Sequence, residues 1–427
     1  MKQADVQELV KNSLGEVTGL IQDLVRIPTE NTAPTGNELK AQQYLSNWLR
    51  QNNLEHELFT PDEVPGLPQH PAFWPGRDYT RRPNVVARVP GQGGGRSLIL
   101  SCHMDTVQRE PLPWKVSSPF SGEIIGKRLY GRGAYDMKGG LAASAFLLKL
   151  IQDNHIRLKG DLLFESIVDE ERCGSNGTLA SRVKGYLPDV AILPEISDLS
   201  ICPTSKGAKV YELLLKGSGG HSSVSPENNP IVGMAYLICG LKEYETQINA
   251  RKHGLELYAG ESKPRKVGFG MLRAGDAAQD WDFGTVTEAR VTVVVLTLPG
   301  YQEADLDHEL ITFVLQYCKT NPVLSQFAPP EIISKSRYIF PSQTDPQHPI
   351  FQILQRNHQA LLGKESALQG AKFACDSYIF SHFFAIPTVI FGPRGGNAHT
   401  ADEWLDLDSL YDYMAVTFQT ILDWCGQ

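Results

Sequence analysis

Several marks of broad protein classes are missing from this sequence. No apolar run approaches the roughly 18 residues of a membrane span, and Met1 to Leu20 interleaves charges with apolar residues where a signal peptide would build an apolar core. Cysteine is sparse. Cys102, Cys173, Cys202, Cys239, Cys318, Cys375 and Cys425 are scattered, odd in number and never spaced Cys-x-x-Cys, so neither a disulfide framework nor a thiolate zinc site is expected. The reading is a cytoplasmic protein with reduced, buried thiols. Positive charge is not in excess, and a formal net charge of −8 disfavours a nucleic-acid or anionic-membrane partner. There is no Gly-x-Ser-x-Gly elbow, P-loop, internal repeat or low-complexity tract. Gly131-Arg132-Gly133 opens like a dinucleotide loop, but Asp136 stands where the third glycine would be, which rejects that reading. What remains is a chain of 427 residues, 41% hydrophobic and 21% charged, long enough for two domains and a sizeable core.

Val6, Val10, Leu14, Val17, Ile21, Leu24 and Val25 recur at helical spacing and predict an amphipathic helix that stops before Pro28. A second helix is expected from near Thr35, with Thr35 and Glu38 forming a capping box. Pro61 to Pro83 has no period and reads as an ordered surface insertion. Four apolar runs then read as buried strands, each delivering a histidine or carboxylate at its end. Leu98 to Leu100 precedes His103 and Asp105, Leu162 to Val168 precedes Asp169-Glu170-Glu171, Val190 to Leu193 precedes Glu195, and Thr388 to Phe391 precedes the Gly-rich stretch that reaches His399. Open α/β sheets collect their ligands at such carboxyl ends.

Between Lys206 and Phe340 the pattern changes. Strand Ala208 to Lys216, helix Pro230 to Ala250, strands Lys266 to Arg273 and Glu288 to Leu298, helix Gln302 to Thr320 and strand Glu331 to Tyr338 give the order βαββαβ. The fold class expected is α/β, with a mixed, mainly parallel sheet covered by helices in residues 1–205 and 341–427. A two-layer α+β unit, residues 206–340, is inserted into it.

Collected, His103, Asp105, Asp136, Glu170, Glu171, Glu195 and His399 supply two imidazoles and several carboxylates without a thiolate. That donor set suits Zn²⁺, and also Co²⁺ or Mn²⁺. So many acids at one sheet edge would repel unless cations neutralised them. Two metals about 3.5 to 4 Å apart, bridged by a carboxylate, would do so and hold a hydroxide between them. Arg394, in the Gly-rich loop beside His399, is a candidate for binding a substrate carboxylate.

These motifs resemble metallopeptidase family M20, whose members include acetylornithine deacetylase, succinyl-diaminopimelate desuccinylase and glutamate carboxypeptidase. The resemblance implies that His103 of His-x-Asp is a metal ligand supported by Asp105. It implies that Asp136, in Gly-Arg-Gly-x-x-Asp-Met-Lys-Gly-Gly, bridges two zinc ions per subunit, and that Glu170 is the general base beside the ligand Glu171. Glu195 and His399 match the remaining ligands, and His221 in Gly219-Gly220-His221-Ser222-Ser223 matches the family's catalytic histidine. The inserted unit resembles its lid or dimerisation domain, so a homodimer is expected, with His221 acting across it. Edge strands such as Ala208 to Lys216 are the natural places for pairing.

Two departures are visible. Gly275 to Gln279 lacks the family's asparagine, and Cys375-Asp376-Ser377 replaces a Thr-Asp-Ala type sequence. The expected activity is hydrolysis of the amide of an N-acyl amino acid, with a dipeptidase or carboxypeptidase, or a catalytically idle metal-binding scaffold, as alternatives.

Overall fold

A computed structural model describes residues 3–109, 112–174, 176–224, 227–251, 256–275 and 284–426. Its strands and helices, in chain order, begin with α1 (Gln3–Arg26), α2 (Leu39–Gln51), β1 (Glu55–Phe59), β2 (Asn84–Val89), β3 (Leu98–His103), α3 (Gly139–Asp153), β4 (Leu162–Ile167), α4 (Gly177–Lys184), β5 (Val190–Leu193) and β6 (Ile201–Thr204). There follow β7 (Gly207–Lys216), α5 (Pro230–Ala250), β8 (Val267–Ala274), β9 (Glu288–Thr297), α6 (Glu303–Thr320) and β10 (Glu331–Ser334). The chain closes with α7 (Pro349–Leu362), β11 (Leu368–Gly370), β12 (Thr388–Ile390) and α8 (Leu407–Cys425). It divides into two compact units, one of residues 1–204, 342–371 and 375–427, the other of residues 205–341 and 372–374.

The first unit is built on an eight-stranded sheet in the order β11-β6-β12-β5-β3-β4-β2-β1. Its middle strands β12, β5, β3 and β4 run parallel, while β2 and β1 add on antiparallel at one side. The parallel strands are buried along their length, because helices such as α1, α3 and α8 cover the sheet and leave no polar face for alternation. The stripe begun at Val6 packs α1 into this core through Val10, Val17, Ile21, Leu24 and Val25. Fully burying each such side chain stabilises by about 1.5 to 3 kcal/mol.

The second unit has the sheet β8-β9-β7-β10, all antiparallel. Along β9 buried and half-buried residues alternate, so Ala289, Val291, Val293 and Val295 face a core shared with Leu237, Leu241, Leu306 and Leu310 of α5 and α6. Strand β7 corrects the edge-strand expectation for Ala208 to Lys216. It pairs with β9 on one side and β10 on the other, so its backbone groups are already used. The outer strands of this sheet are β10 and β8, and on β8 Phe269, Met271 and Leu272 are exposed.

The capping box at Thr35 and Glu38 does not form either. Thr35 sits in a two-residue strand, and Glu38, buried at the start of α2, spends both carboxylate oxygens on the Arg82 guanidinium at 2.6 and 2.9 Å. A charge-assisted pair away from solvent outweighs one backbone cap. The Gly275 to Gln279 stretch falls outside the described residues from Asp276 onward. No helix among the described residues is long and apolar enough to cross a membrane.

Candidate metal centre

All the strand-end candidates except His221 and Arg394 converge at the carboxyl edge of the parallel strands in the first unit. His103 ends β3, and its Nδ1 lies 2.9 Å from the main-chain carbonyl of Asp105, with the Asp105 carboxylate farther off at 3.8 Å. Donation from Nδ1 to that carbonyl fixes the ring and leaves Nε2 free for a cation. The Asp105 carboxylate is engaged elsewhere, accepting the backbone N–H groups of Glu170 at 3.2 Å and Glu171 at 3.0 Å. It therefore holds the turn after β4 that carries both glutamates.

Asp136 sits in the loop before α3, between the two imidazoles. One carboxylate oxygen is 3.2 Å from His103 Nε2 and the other 3.2 Å from His399 Nε2. His399 Nε2 also lies 3.0 Å from Glu171, while Glu170 and Glu195 each come within 4.0 Å of His103 Nε2. Two triads result, His103–Asp136–Glu195 and Asp136–Glu171–His399, each with one donor atom per residue inside a 4.8 Å span. Asp136 belongs to both. Close backbone approach makes this possible at two glycines. A Cβ on Gly140 would meet the Pro194 carbonyl oxygen at 2.6 Å, and one on Gly392 would meet that of Glu195 at 2.1 Å, so a larger residue at either would push Glu195 off its strand end.

One contributor carries no sequence signal. Glu403, fully buried, accepts from the backbone N–H groups of Tyr135 and Asp136 with one oxygen and from Gly133 N–H and the Arg132 guanidinium with the other, at 2.6 to 3.0 Å. A small four-stranded sheet, ordered 395–396, 404–406, 128–130 and 123–125, joins the same two loops. The backbones of Asp136 and His399 are thus tied together independently of their side chains.

The charges are unbalanced in a way that suits cations. Burial pushes Glu170 well above the usual carboxylate range, against the pull of His103, and it lifts Glu195 to about 8. Burial alone would lower His399, yet Glu171 and Asp136 raise it to about 12, and Asp136 with Glu195 and Glu170 holds His103 well above an ordinary histidine in the same way. Asp136, burial notwithstanding, is kept well below the usual range by hydrogen bonds from both imidazoles. Protons on the imidazoles and on glutamate thus answer the clustered carboxylates here. Divalent cations bound at the two triads would displace those protons, and the nitrogen and oxygen donors fit Zn²⁺, Co²⁺ or Mn²⁺.

This fixes a sign. Because His103, His399 and Glu195 hold protons more tightly than isolated side chains, affinity for zinc should fall as pH drops, and each ion bound near pH 7 should release about one to two protons. Calorimetry in buffers of different ionisation enthalpy measures that number. Binding without proton release would contradict the assignment.

Neither of the two remaining candidates belongs to a triad. His221 is in the second unit, exposed, in a two-residue strand paired with Gly284–Thr285. Arg394 stands 3.9 Å from Asp412 of α8 and takes no part in either triad.

Comparison with known proteins gives this geometry a context. The profile of Peptidase family M20/M25/M40 matches residues 99–423. The chain is 28% identical to an N-formyl-4-amino-5-aminomethyl-2-methylpyrimidine deformylase of Halalkalibacterium halodurans, over 96% of this chain and 94% of the relative. It is 26% identical to an acetylornithine deacetylase of Erwinia tasmaniensis, over 76% of this chain and 78% of that one. In fold it is similar to the M20 family metallo-carboxypeptidase Sso-CP2 of Sulfolobus solfataricus, with a TM-score of 0.70 at 18% identity, covering 95% and 98% of the two chains. With a family profile spanning most of its length and a matching fold, the chain belongs to peptidase family M20/M25/M40, the metal-dependent hydrolases of amide and peptide bonds.

Proposed function

We propose that this protein is a dinuclear zinc amidohydrolase that removes a small acyl group, formyl or acetyl, from an amine or amino acid. The observation that carries this reading is the position of Glu170. Its carboxylate faces the cluster 4.0 Å from His103 Nε2, belongs to neither triad and is largely desolvated, which leaves it available to move a proton. His103, Asp136 and Glu195 would hold one ion and Asp136, Glu171 and His399 the other. Bound there, divalent cations would acidify water and polarise the substrate carbonyl.

Glu170 Oε2 takes the proton of the attacking water and returns it to the nitrogen of the leaving amine, a transfer that its buried setting favours. Asp105 keeps Glu170 and Glu171 in register through their N–H groups. A formyl substrate is favoured over other N-acyl groups by the near end-to-end match to the deformylase, against about three quarters of the chain for the deacetylase. Turnover of matched N-formyl, N-acetyl and N-succinyl amines and dipeptides tests this. N-formyl compounds should exceed their N-acetyl counterparts by about tenfold or more in kcat/KM, as one methyl group in a tight pocket allows. Activity confined to dipeptides would replace this reading with the peptidase one, and silence across the panel would favour an idle scaffold.

We infer further that the protein acts as a homodimer in the cytoplasm. Thiols such as Cys102, Cys375 and Cys425, buried outside any disulfide, suit a reducing compartment, and the open side of β8 with exposed Phe269, Met271 and Leu272 offers a pairing edge. His221 of one subunit would donate a hydrogen bond to the oxyanion formed in the other. His221→Ala is then expected to lose about 10² to 10³ in kcat with metal content unchanged. Mixing inactive His221→Ala with inactive Glu170→Gln chains should restore up to about half the wild-type rate per mixed dimer, since one site then carries neither defect. No recovery after subunit exchange would place His221 in its own chain's site.

A further inference from the structure

The insertion Pro61 to Pro83 does more than cover the surface. From Trp74 to Arg82 it runs along the turn after β4 and binds that turn at successive points. The Trp74 N–H and carbonyl pair with the Asn176 side chain at 2.8 and 2.7 Å. Tyr79 OH donates to Asp169 at 2.7 Å and accepts from Asn176 N–H at 3.1 Å. Arg77, its side chain only 6% exposed, donates to both oxygens of Asp169 and, at 2.6 Å, to Asn31, while Arg82 adds a further bond to Asp169 at 2.6 Å.

Asp169 precedes Glu170 and adopts a left-handed backbone with φ +73, which costs about 1 kcal/mol or more for a residue other than glycine. Such a conformation persists only where its surroundings fix it. Behind it, Glu38, Asp105 and Asp169 form a second buried carboxylate cluster whose oxygen atoms lie within 4.8 Å of one another. Every carboxylate oxygen in that cluster already has a donor, from Arg77, Arg82, Tyr79, Asn31 or the backbone of Glu170 and Glu171. Two guanidinium groups answer three carboxylates, and Asn31 bridges Asp105 to Asp169 at 2.7 and 2.8 Å.

We infer that Arg77 and Tyr79 are positioning residues which, acting through Asp169 and Asn31, set the place of Glu170 and Glu171. Loss of Arg77 leaves one guanidinium against three buried carboxylates, and repulsion between Asp105 and Asp169 then displaces the turn whose N–H groups Asp105 holds. The ion at the triad containing Glu171 is affected, and the one at His103, Asp136 and Glu195 is not. This inference rests on the dinuclear reading above, and its test includes a measurement independent of any substrate.

Cobalt is titrated into metal-free protein and followed by visible absorption and calorimetry, with His399→Ala identifying the outer site, that of Asp136, Glu171 and His399, as opposed to the inner one of His103, Asp136 and Glu195. Arg77→Met should weaken that site by about 10- to 100-fold and leave the inner one within about twofold, as the loss of a supporting partner does. On a turned-over substrate kcat should fall by about 10- to 100-fold with KM within about twofold. Arg77→Lys, which keeps the charge and loses the fork, should recover part of both. Tyr79→Phe, which keeps the ring, should shift both in the same direction by a smaller factor and serves if Arg77→Met does not fold. Unchanged cobalt binding in these variants, equal weakening of both sites, or a rise in KM alone would overturn the inference. If the wild type turns over nothing yet binds two cobalt ions, the deacylase reading fails and the titration still judges Arg77. A wild type that binds no cobalt overturns both.

Discussion

Replacing Glu170 by Gln is expected to lower kcat by about 10² to 10⁴ while bound metal stays at the wild-type level. The amide has nearly the shape of the carboxyl group, so the turn held by Asp105 is preserved, but it can neither take a proton from water nor deliver one to the leaving amine. Metal retention follows because Glu170 lies outside both triads. Metal analysis beside steady-state kinetics separates the outcomes. A variant that loses an ion would show that Glu170 is a ligand and Glu171 the base. One that keeps its full rate would remove the proton-transfer step from the mechanism.

Removing the metal should have the largest effect of all: turnover falls to background with a chelator and returns with Zn²⁺, Co²⁺ or Mn²⁺. Asp136, Glu170, Glu171 and Glu195 gather around two imidazoles as their main positive neighbours, and one cannot ionise all of them in so buried a place without cations. Stability should follow, because an ion that binds only the folded chain raises the unfolding free energy by about 2.7 kcal/mol at a hundred times its Kd. Melting curves with and without zinc, read alongside activity, test both parts. Full activity in demonstrably metal-free protein would dismiss the dinuclear reading altogether.

The sequence made the first unit's architecture readable because its parallel strands are continuous apolar runs and each ends in a chemically distinctive residue. The order βαββαβ was readable for a different reason, since Glu288–Thr297 alternates cleanly and Pro230 to Ala250 is a long stretch opened by proline and interrupted by no other. The pairing order was not. Ala208 to Lys216 looks like any antiparallel strand, and nothing local reveals that both its sides are occupied. The convergence of His103 and Glu195 followed from strand ends, and Asp136 and His399 were marked by the Gly-rich stretches around them. Glu403, Arg77 and Asn31 stayed hidden because their partners lie far along the chain and their own neighbours form no motif. Glu38 misled for the same reason: local spacing suggested a cap, and a distant arginine took the carboxylate.

Strand β12 enters the sheet between β5 and β6, although those two precede it in sequence by most of the second unit and more. The gap it fills stays open during synthesis until Thr388–Ile390 have been made. His399, which follows it, reaches Glu171 across 228 positions of sequence. Pairings of such separation close slowly, because the entropy of a long loop is lost before any contact rewards it. A nascent or truncated chain that stops short of Thr388 therefore presents two unpaired strand flanks and an incomplete ligand set together. Closing the sheet and completing the triad of Asp136, Glu171 and His399 thus wait for the same stretch of chain, residues 388–399.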